Sequence, residues 1–407
     1  MRMKFTKGQR RILFFCVLCY TAAYTGRLNL SAALVGLKES FQMSDARAGG
    51  FQTAFALIYA AGQIVNGARA DRVSPRRHIA LGLTLSALCN LLFGLSNAYG
   101  AQLALWMLNG AAQSMLWTPI VRLTAQWFRG ERRTRASFVL SMTIVAGHLL
   151  AWGVAGAMSS LLGWRYSFLI PAGVLALAAL AAWRGLTGAP EEAEVDEETV
   201  AAAAQPAPMG RLLMGTGLGL VLLCGVCNGF VRDGVVSWGP TILAETRGGA
   251  AMNPTLLSLV IPALNLLGML SVRACFGRLG SPRRATGVLM LLCAVMPAAL
   301  AALDANAAVR ALLLGLCCAA CYGVNPMLTT LIPMEYEPAG RVGLAAGLAD
   351  SFIYLGSALA GTAAGALSDR AGWPGVFAAW TAASVVGALL AFASARGVRK
   401  IGETGKN

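Results

Sequence analysis

Charged residues are scarce in this sequence. Aspartate, glutamate, lysine and arginine together make up only 13% of its 407 residues, about half the ~25% that is usual for a soluble domain. Hydrophobic residues make up 57%, and apolar runs of about 20 residues, long enough to span a bilayer, recur along the whole chain. This composition argues against a water-soluble protein and predicts an all-α membrane protein that crosses the bilayer many times.

Acidic residues are also in deficit, with 18 Asp and Glu against 33 Lys and Arg. The excess of positive charge would suit a nucleic-acid partner, but the basic residues lie mainly in short segments between apolar runs. In that position they set the topology of a membrane protein. We therefore expect a lipid bilayer, and no nucleic acid, as the surroundings of this chain.

Groups for enzymatic chemistry are missing as well. No G-x-x-x-x-G-K-[ST] motif occurs that would bind the phosphates of ATP, and a soluble catalytic domain has no room between the apolar runs. The ten cysteines lie in or beside those runs without clusters of His or carboxylates around them. Although three pairs have the C-x-x-C spacing of zinc and redox sites, we interpret them as reduced packing residues. We expect a protein that is not an enzyme and holds no metal or cofactor.

Twelve apolar segments are expected to be transmembrane helices. They lie at approximately 12–37, 50–69, 79–98, 102–124, 135–161, 165–185, 211–244, 254–275, 285–303, 307–333, 341–367 and 373–395. The first segment is long and is not followed by a small-residue cleavage site, so we expect it to remain as the first span.

Basic residues alternate between the two sides of these segments. Both ends of the chain, and the loops after the second and fourth segments, are rich in Arg and Lys, whereas the opposite loops carry few. The positive-inside rule then places both termini in the cytoplasm, which requires an even number of spans. We expect a monomeric, multi-pass protein of the inner membrane.

The longest connection divides the segments into six plus six. Residues 186–210 hold six acidic residues followed by an Ala/Pro stretch, a composition typical of a flexible linker. We expect it to be cytoplasmic and to join an N-terminal six-helix bundle at 1–185 to a C-terminal one at 211–407.

An internal repeat supports this division. The segment Gly67–Arg77, which contains Ser-Pro-Arg-Arg, follows the second apolar run and is echoed by Gly277–Arg284 after the eighth. Arg27 in the first run and Arg232 in the seventh are separated by nearly the same number of residues as the two copies of this segment. Two homologous, pseudo-symmetric bundles are the economical interpretation.

Those two arginines lie deep in apolar segments. Because a charge near the bilayer midplane is costly, such residues face the bundle interior and mark a functional site. If the repeat brings the two guanidiniums face to face across a central cavity, they form a clamp for phosphate oxygens. The alternative is that each pairs with a local carboxylate for structure. Asp233 adjoins Arg232, although neighbours in a helix point about 100° apart.

Several motifs in this sequence resemble a known family. The Gly67–Arg77 segment looks like the signature loop of the major facilitator superfamily. More specific are Tyr-x-x-Arg-x-Asn at 24–29, Arg-Asp-Gly-x-x-x-Trp-x-Pro at 232–240 and Gln-Ser-Met-Leu-Trp-Thr-Pro at 113–119. They are similar to motifs of the organophosphate:phosphate antiporter family, which includes glycerol-3-phosphate and hexose-6-phosphate exchangers. The resemblance implies the major facilitator fold, with twelve transmembrane helices in two bundles.

The resemblance also implies roles for individual residues. Arg27 and Arg232 become the residues that bind the substrate phosphate. Further substrate-binding positions are Tyr20, Tyr24, Tyr59, Gln63, Trp117, His148, Tyr322 and Tyr354, and a conformational latch comprises Gly67, Asp71, Arg72 and Arg76. Independently of the family, hydroxyl donors and ring faces suit a polyol or sugar attached to phosphate.

Two of these positions depart from the family pattern. Some members have Lys where this chain has Gln63, which leaves fewer cations for a dianion. The fifth-span histidine of the glycerol phosphate branch aligns best with Thr143, and His148 lies further along.

Asp350 is a distinctive carboxylate four residues before Tyr354, on the same face of the expected helix. It could accept sugar hydroxyls or balance a cationic substrate group. Structural pairing with an arginine is an equally open interpretation.

The sequence thus predicts a secondary transporter that exchanges an organic phosphate ester for inorganic phosphate by alternating access. One alternative is a non-transporting phosphate-ester sensor of the same fold. Another is a proton-coupled exporter of amphipathic cations, in which Asp233 or Asp350 would be essential.

Overall fold

The structure is a computed structural model of the whole chain. It describes residues 5–69, 73–187, 216–246, 257–265, 267–268, 279–336 and 342–396. The expected linker at 186–210 therefore lies almost entirely outside the described residues, as does half of the expected segment 254–275. The expected domain limits stay a prediction.

The described part of the chain is α-helical. Its helices are α1 Lys7–Thr25, α2 Asn29–Phe41, α3 Asp45–Arg69, α4 Pro75–Leu95, α5 Tyr99–Ser114, α6 Trp117–Trp127, α7 Gly130–Leu162, α8 Tyr166–Gly185, α9 Leu218–Ala244, α10 Pro282–Ala302, α11 Ala307–Pro326 and α12 Val342–Ser394. A π-helical stretch, Met327–Leu331, and a short turn, Ile332–Met334, follow α11. The all-α fold class predicted from composition is confirmed.

Contacts group the chain into two compact units. The first consists of Met1–Met43 and Ala54–Val195, and the second of Ser44–Thr53 and Asp196–Asn407. Eight helical stretches in the described ranges are long and apolar enough to cross a membrane. One of them, Leu344–Ser394, covers two expected segments. The backbone leaves helical geometry between those segments at Gly372, where φ is 65°.

Two expected single helices are interrupted. The first apolar segment is divided between α1 and α2 at residues 26–28, and the fourth is divided between α5 and α6 at residues 115–116. Hydropathy could not predict these breaks, since the residues on both sides are equally apolar. The first break carries Arg27 and is described with the site.

Both copies of the Ser-Pro-Arg-Arg repeat begin a helix. Ser74 and Ser281 are the N-cap residues of α4 and α10, and the proline that follows each one stands in the first helical turn. Proline is favoured there because its missing N–H would have no partner within the helix. The repeat thus has the same local role in each unit.

Each unit has its own apolar core. In the first unit, α1, α4 and α8 contribute the buried side chains Ile12, Leu83 and Leu175. In the second, α9, α10 and α12 contribute Leu222, Met290 and Ile353. Large apolar side chains are also exposed along the helices, for example Leu161 (74%), Leu177 (70%) and Leu389 (62%), as suits helices whose outer surface meets lipid. The helices α9 and α12 approach so closely that a Cβ on Gly229 or Gly356 would collide with the facing backbone.

A buried arginine joins four parts of the second unit. Arg283, at the start of α10, has a fully buried side chain. It donates to Glu335 Oε2 (2.8 Å), the Thr216 carbonyl (2.8 Å), the Ser394 carbonyl (2.7 Å) and the Tyr336 hydroxyl (2.9 Å). Its five donors suit such a fork, so one side chain satisfies polar groups at the ends of several helices.

Replacing Arg283 with Gln should therefore destabilise the second unit by about 3–5 kcal/mol, the usual cost of removing one partner of a buried ion pair. The measurement is the midpoint of thermal unfolding of the full chain in detergent. Arg284→Gln is the matched control, because the neighbouring Arg284 is exposed. Equal midpoints for the two variants would contradict the proposed role of Arg283.

Candidate functional site

Arg27 lies in a break between two helices. The helix α1 ends at Thr25 and α2 begins at Asn29. Within the break, the N–H groups of Arg27 and Leu28 both bond to the carbonyl of Tyr24, at 3.2 and 3.0 Å. This tighter turn places the arginine outside the regular helical ladder, and it leaves nearby carbonyl oxygens without their usual helical partners.

Amide side chains from two neighbouring helices bond to those carbonyl oxygens. Asn90 and Asn109 donate to the Gly26 carbonyl at 3.1 and 2.8 Å, and Gln113 donates to the Ala23 carbonyl at 3.0 Å. All three amides are buried. Because lipid supplies no donors, the break is tolerated only where such groups bond to it.

The same amides are linked to one another. Ser86 donates to Asn109 Oδ1 at 2.6 Å and accepts from Gln113 at 2.9 Å. Asn29, at the start of α2, donates to Asn90 Oδ1 at 2.8 Å and to the Ser167 carbonyl at 2.9 Å. We call Asn29, Ser86, Asn90, Asn109 and Gln113 the amide network. Sequence reasoning missed Asn90 and Asn109; the available signal was an amide side chain well inside each of two apolar segments.

The guanidinium of Arg27 lies over aromatic rings. Its Cζ is 4.6 Å from the ring centroid of Tyr59 and 5.4 Å from that of Phe55, within the range of cation–π attraction. Gln63 donates to the Tyr59 hydroxyl at 2.8 Å. The structure thus brings together three predicted site residues, Arg27, Tyr59 and Gln63, and adds Phe55.

The other predicted aromatic positions of the first unit form a second group. Tyr20 packs on Trp117, with ring centroids 4.8 Å apart, and on Tyr24 at 5.3 Å. Tyr24 in turn lies 5.1 Å from the His148 ring. Thr143 and His148 are the two candidates for the family's histidine position. His148 is the one whose ring contacts this aromatic group. Thr143 is buried and bonds to the Leu140 carbonyl of its own helix.

Arg232, in the second unit, is paired with its neighbour. Its Nε and Nη2 donate to the two carboxylate oxygens of Asp233 at 2.8 and 2.9 Å, and its Nη1 donates to Asn325 Oδ1 at 2.6 Å. The argument that adjacent residues of a helix diverge is wrong for this pair. The long arginine side chain can fold back to the carboxylate of its neighbour, and a buried guanidinium gains from a bidentate carboxylate.

Tyrosines of α11 and α12 complete the surroundings of Arg232. Its Cζ lies 5.8 Å from the ring centroid of Tyr322, and Tyr354 is also close enough to interact with it electrostatically. Asp350 lies one turn before Tyr354 on α12 and is partly buried. Asn228, one turn before Arg232, is fully buried, and its amide has no hydrogen-bond partner in the described part of the chain.

The predicted latch is only partly described. Gly67 lies near the end of α3, and Asp71 and Arg72 lie outside the described residues. Arg76 lies in the first turn of α4, with its Cζ 4.5 Å from the ring centroid of Trp183. The latch therefore stays a prediction, as do the substrate roles of the residues above.

A family model described as Major Facilitator Superfamily matches residues 14–361. The chain belongs to this superfamily. Its members are transporters rather than enzymes, so the superfamily and the non-enzymatic character expected from the sequence are confirmed. A major facilitator protein is a multi-pass membrane protein, which agrees with the hydropathy of the described helices.

Solved structures share the fold of this major facilitator protein. A bacterial homologue of the human lysosomal transporter Spinster has a TM-score of 0.72 and 16% identity, covering 99% of this chain and 97% of that one. The nucleoside transporter NupG has a TM-score of 0.71 and 15% identity, covering 96% and 99%. At such low identity the likeness concerns the fold alone.

Curated relatives are similar over most of their length. The phosphoglycerate transporter protein of Salmonella typhimurium is 26% identical, covering 98% of this chain and 92% of the relative. The glycerol-3-phosphate transporter of Bacillus subtilis is 27% identical, covering 88% and 86%. The membrane sensor protein UhpC of Escherichia coli is 25% identical, covering 94% and 91%. These names agree with the resemblance to the organophosphate:phosphate antiporter family.

The amide network generates a stability prediction. Replacing Asn109 with Leu removes one donor to the Gly26 carbonyl and the acceptor of Ser86, so it should cost about 1–3 kcal/mol for the buried polar groups left unpaired. Thermal unfolding of the full chain in detergent measures the loss. Thr84→Val is the control, since it removes an exposed hydroxyl that bonds only within α4. If the two variants unfold at the same temperature, the break does not depend on Asn109.

Proposed function

We propose that this protein exchanges an organic phosphate ester for inorganic phosphate across the membrane by alternating access. The curated relatives support the substrate class, because two of them are named as transporters of phosphate esters. Exchange with inorganic phosphate is the more specific part of the proposal. It rests on the resemblance of the motifs around the two arginines to those of the antiporter family.

The observation that carries the proposal is the setting of Arg27. A partly buried guanidinium stands in a helix break, held over the Tyr59 ring and supported by the amide network. Arginine presents five donors in a planar fork that matches phosphate oxygens in pairs. We propose that Arg27 and Arg232 both take part in binding the phosphate group.

Aromatic and hydroxyl groups near each arginine support an ester with a polar organic part. The first unit offers Tyr20, Tyr24 and Trp117 close together, and the second offers Tyr322 and Tyr354. Rings with polar tips can pack against a carbon skeleton while hydrogen bonding to its hydroxyls. We propose a sugar phosphate, glycerol phosphate or phosphoglycerate as substrate.

A specific observation favours one second candidate function. Similarity to the membrane sensor protein UhpC extends over 94% of this chain. A sensor would bind the phosphate ester without moving it. Flux of substrate through the purified protein in liposomes separates the two functions.

The decisive experiment is counterflow. Proteoliposomes loaded with unlabelled phosphate esters, one ester per sample, are placed in radiolabelled inorganic phosphate, and uptake of label is followed. A transporter accumulates label only with esters that it exchanges. Binding of an ester without any counterflow would support the sensor. Uptake of neither ester nor phosphate, together with export of cations that depends on Asp233 or Asp350, would support the proton-coupled exporter.

Replacing Arg27 or Arg232 singly with Lys should lower exchange by at least roughly tenfold, because a point charge cannot reproduce the bidentate fork and each charged hydrogen bond contributes about 1.5–3 kcal/mol. The measurement is the initial rate of phosphate exchange, normalised to inserted protein. Arg310→Lys is the control, since Arg310 pairs with the exposed Asp304 at 3.8 Å. Wild-type exchange in either variant would remove that arginine from the site.

We propose a monomeric protein of the inner membrane. We place both termini in the cytoplasm, because basic residues dominate the terminal segments and the loops on the same side of the membrane. A cysteine introduced within 186–210 should then react with a membrane-impermeant thiol reagent only after the membrane is opened. Glu39→Cys provides the comparison, as this exposed residue near the end of α2 is expected on the opposite side. Labelling of the 186–210 cysteine in intact cells would overturn the orientation.

A further inference from the structure

The binding fork of Arg232 is already occupied by a carboxylate. The carboxylate of Asp233 accepts hydrogen bonds from Nε and Nη2, and Asn325 Oδ1 accepts one from Nη1. Each of the three guanidinium nitrogens therefore has a partner. The two charged side chains are only 10% and 14% exposed. A phosphate oxygen pair can take the same edge of the guanidinium only if Asp233 leaves it.

The two arginines differ in their described contacts. Arg27 lies against the ring faces of Tyr59 and Phe55, which attract the cation through their quadrupole. Arg232 lies against a full negative charge in the same geometry that phosphate would adopt. Bidentate binding at the Nε–Nη2 edge of Arg232 would exchange one anion for another.

Ser357 makes this exchange feasible. Its hydroxyl, on α12, donates to Asp233 Oδ2, the oxygen that also accepts from Arg232 Nη2. A carboxylate displaced from the guanidinium would thus keep one hydrogen bond inside the protein. An anion that lost all its partners in a buried position would be far more costly.

We propose that Asp233 is the resident counter-anion of Arg232, displaced when a substrate oxyanion binds, and that it sets the affinity of the site for phosphate. This inference rests on the proposed function, since it assumes that Arg232 binds the substrate phosphate. Asp233 acts as a specificity-determining residue: it weakens the binding of any oxyanion too weakly charged to displace a carboxylate.

A purely structural ion pair makes a different prediction. If Asp233 only stabilises the fold, its loss lowers stability and leaves phosphate affinity unchanged or weaker. If it is a counter-anion, its neutral isostere binds phosphate more tightly, because a neutral amide competes less well for the guanidinium than a carboxylate does. Tighter binding also slows release, so the maximal exchange rate falls.

The experiment measures the dissociation constant of inorganic phosphate and the maximal rate of phosphate exchange, both on the full-length protein. Asp233→Asn should lower the dissociation constant by about fivefold or more, since neutral hydrogen bonds are roughly half as strong as charged ones, and should lower the maximal rate. Asp304→Asn is the control, because it removes an exposed carboxylate near the end of α10.

A second variant keeps the charges of Arg232 and Asp233 and should have the opposite effect on phosphate affinity. Ser357→Ala removes the group that would hold the displaced carboxylate, so phosphate binding should weaken severalfold. It also covers the case in which Asp233→Asn fails to fold with Arg232 unpaired. Unchanged or weaker phosphate binding in folded Asp233→Asn, or unchanged binding in Ser357→Ala, would overturn the counter-anion role while exchange by the wild type stands. Absence of phosphate binding in the wild type would instead overturn the proposed function, and this inference with it.

Discussion

Hydrogen bonding without water is the constraint on which the first unit depends. Where α1 gives way to α2, the carbonyl oxygens of Ala23 and Gly26 need donors that hydrocarbon cannot supply. Asn90, Asn109 and Gln113 supply them from α4 and α5. The arginine therefore stands in a break whose free carbonyl oxygens bond to three amides on other helices.

The second unit meets the same constraint by a different route. Arg232 lies inside the continuous helix α9, so the chain has no break at Arg232 like the one at Arg27. Instead the side-chain charge itself needs a partner, which Asp233 and Asn325 provide. Two positions related by the sequence repeat therefore hold guanidiniums of different character, one lying on aromatic rings and one neutralised by a carboxylate.

Composition and hydropathy predicted the fold class, and the resemblance of the motifs predicted the superfamily. Of the aromatic positions that the resemblance implied, Tyr59 lies beside Arg27 and Tyr322 beside Arg232. The helix breaks could not be predicted, because they depend on donors from helices distant in sequence. The pairing of Arg232 with Asp233 was considered from the sequence but disfavoured, because neighbouring Cβ atoms of a helix point about 100° apart. That angle does not limit where the long arginine side chain places its guanidinium.

The neutral pair on α9 has an electrical consequence. Moving one elementary charge through a potential of 100 mV involves about 2.3 kcal/mol, so a lone guanidinium carried across the membrane field would make transport depend steeply on voltage. Arg232 and Asp233, bonded side by side, carry no net charge between them. In the proposed cycle this pair therefore adds little electrical work when the second unit reorients, so the response of exchange to the membrane potential depends on the other charges: the bound anion, Arg27 and Asp350.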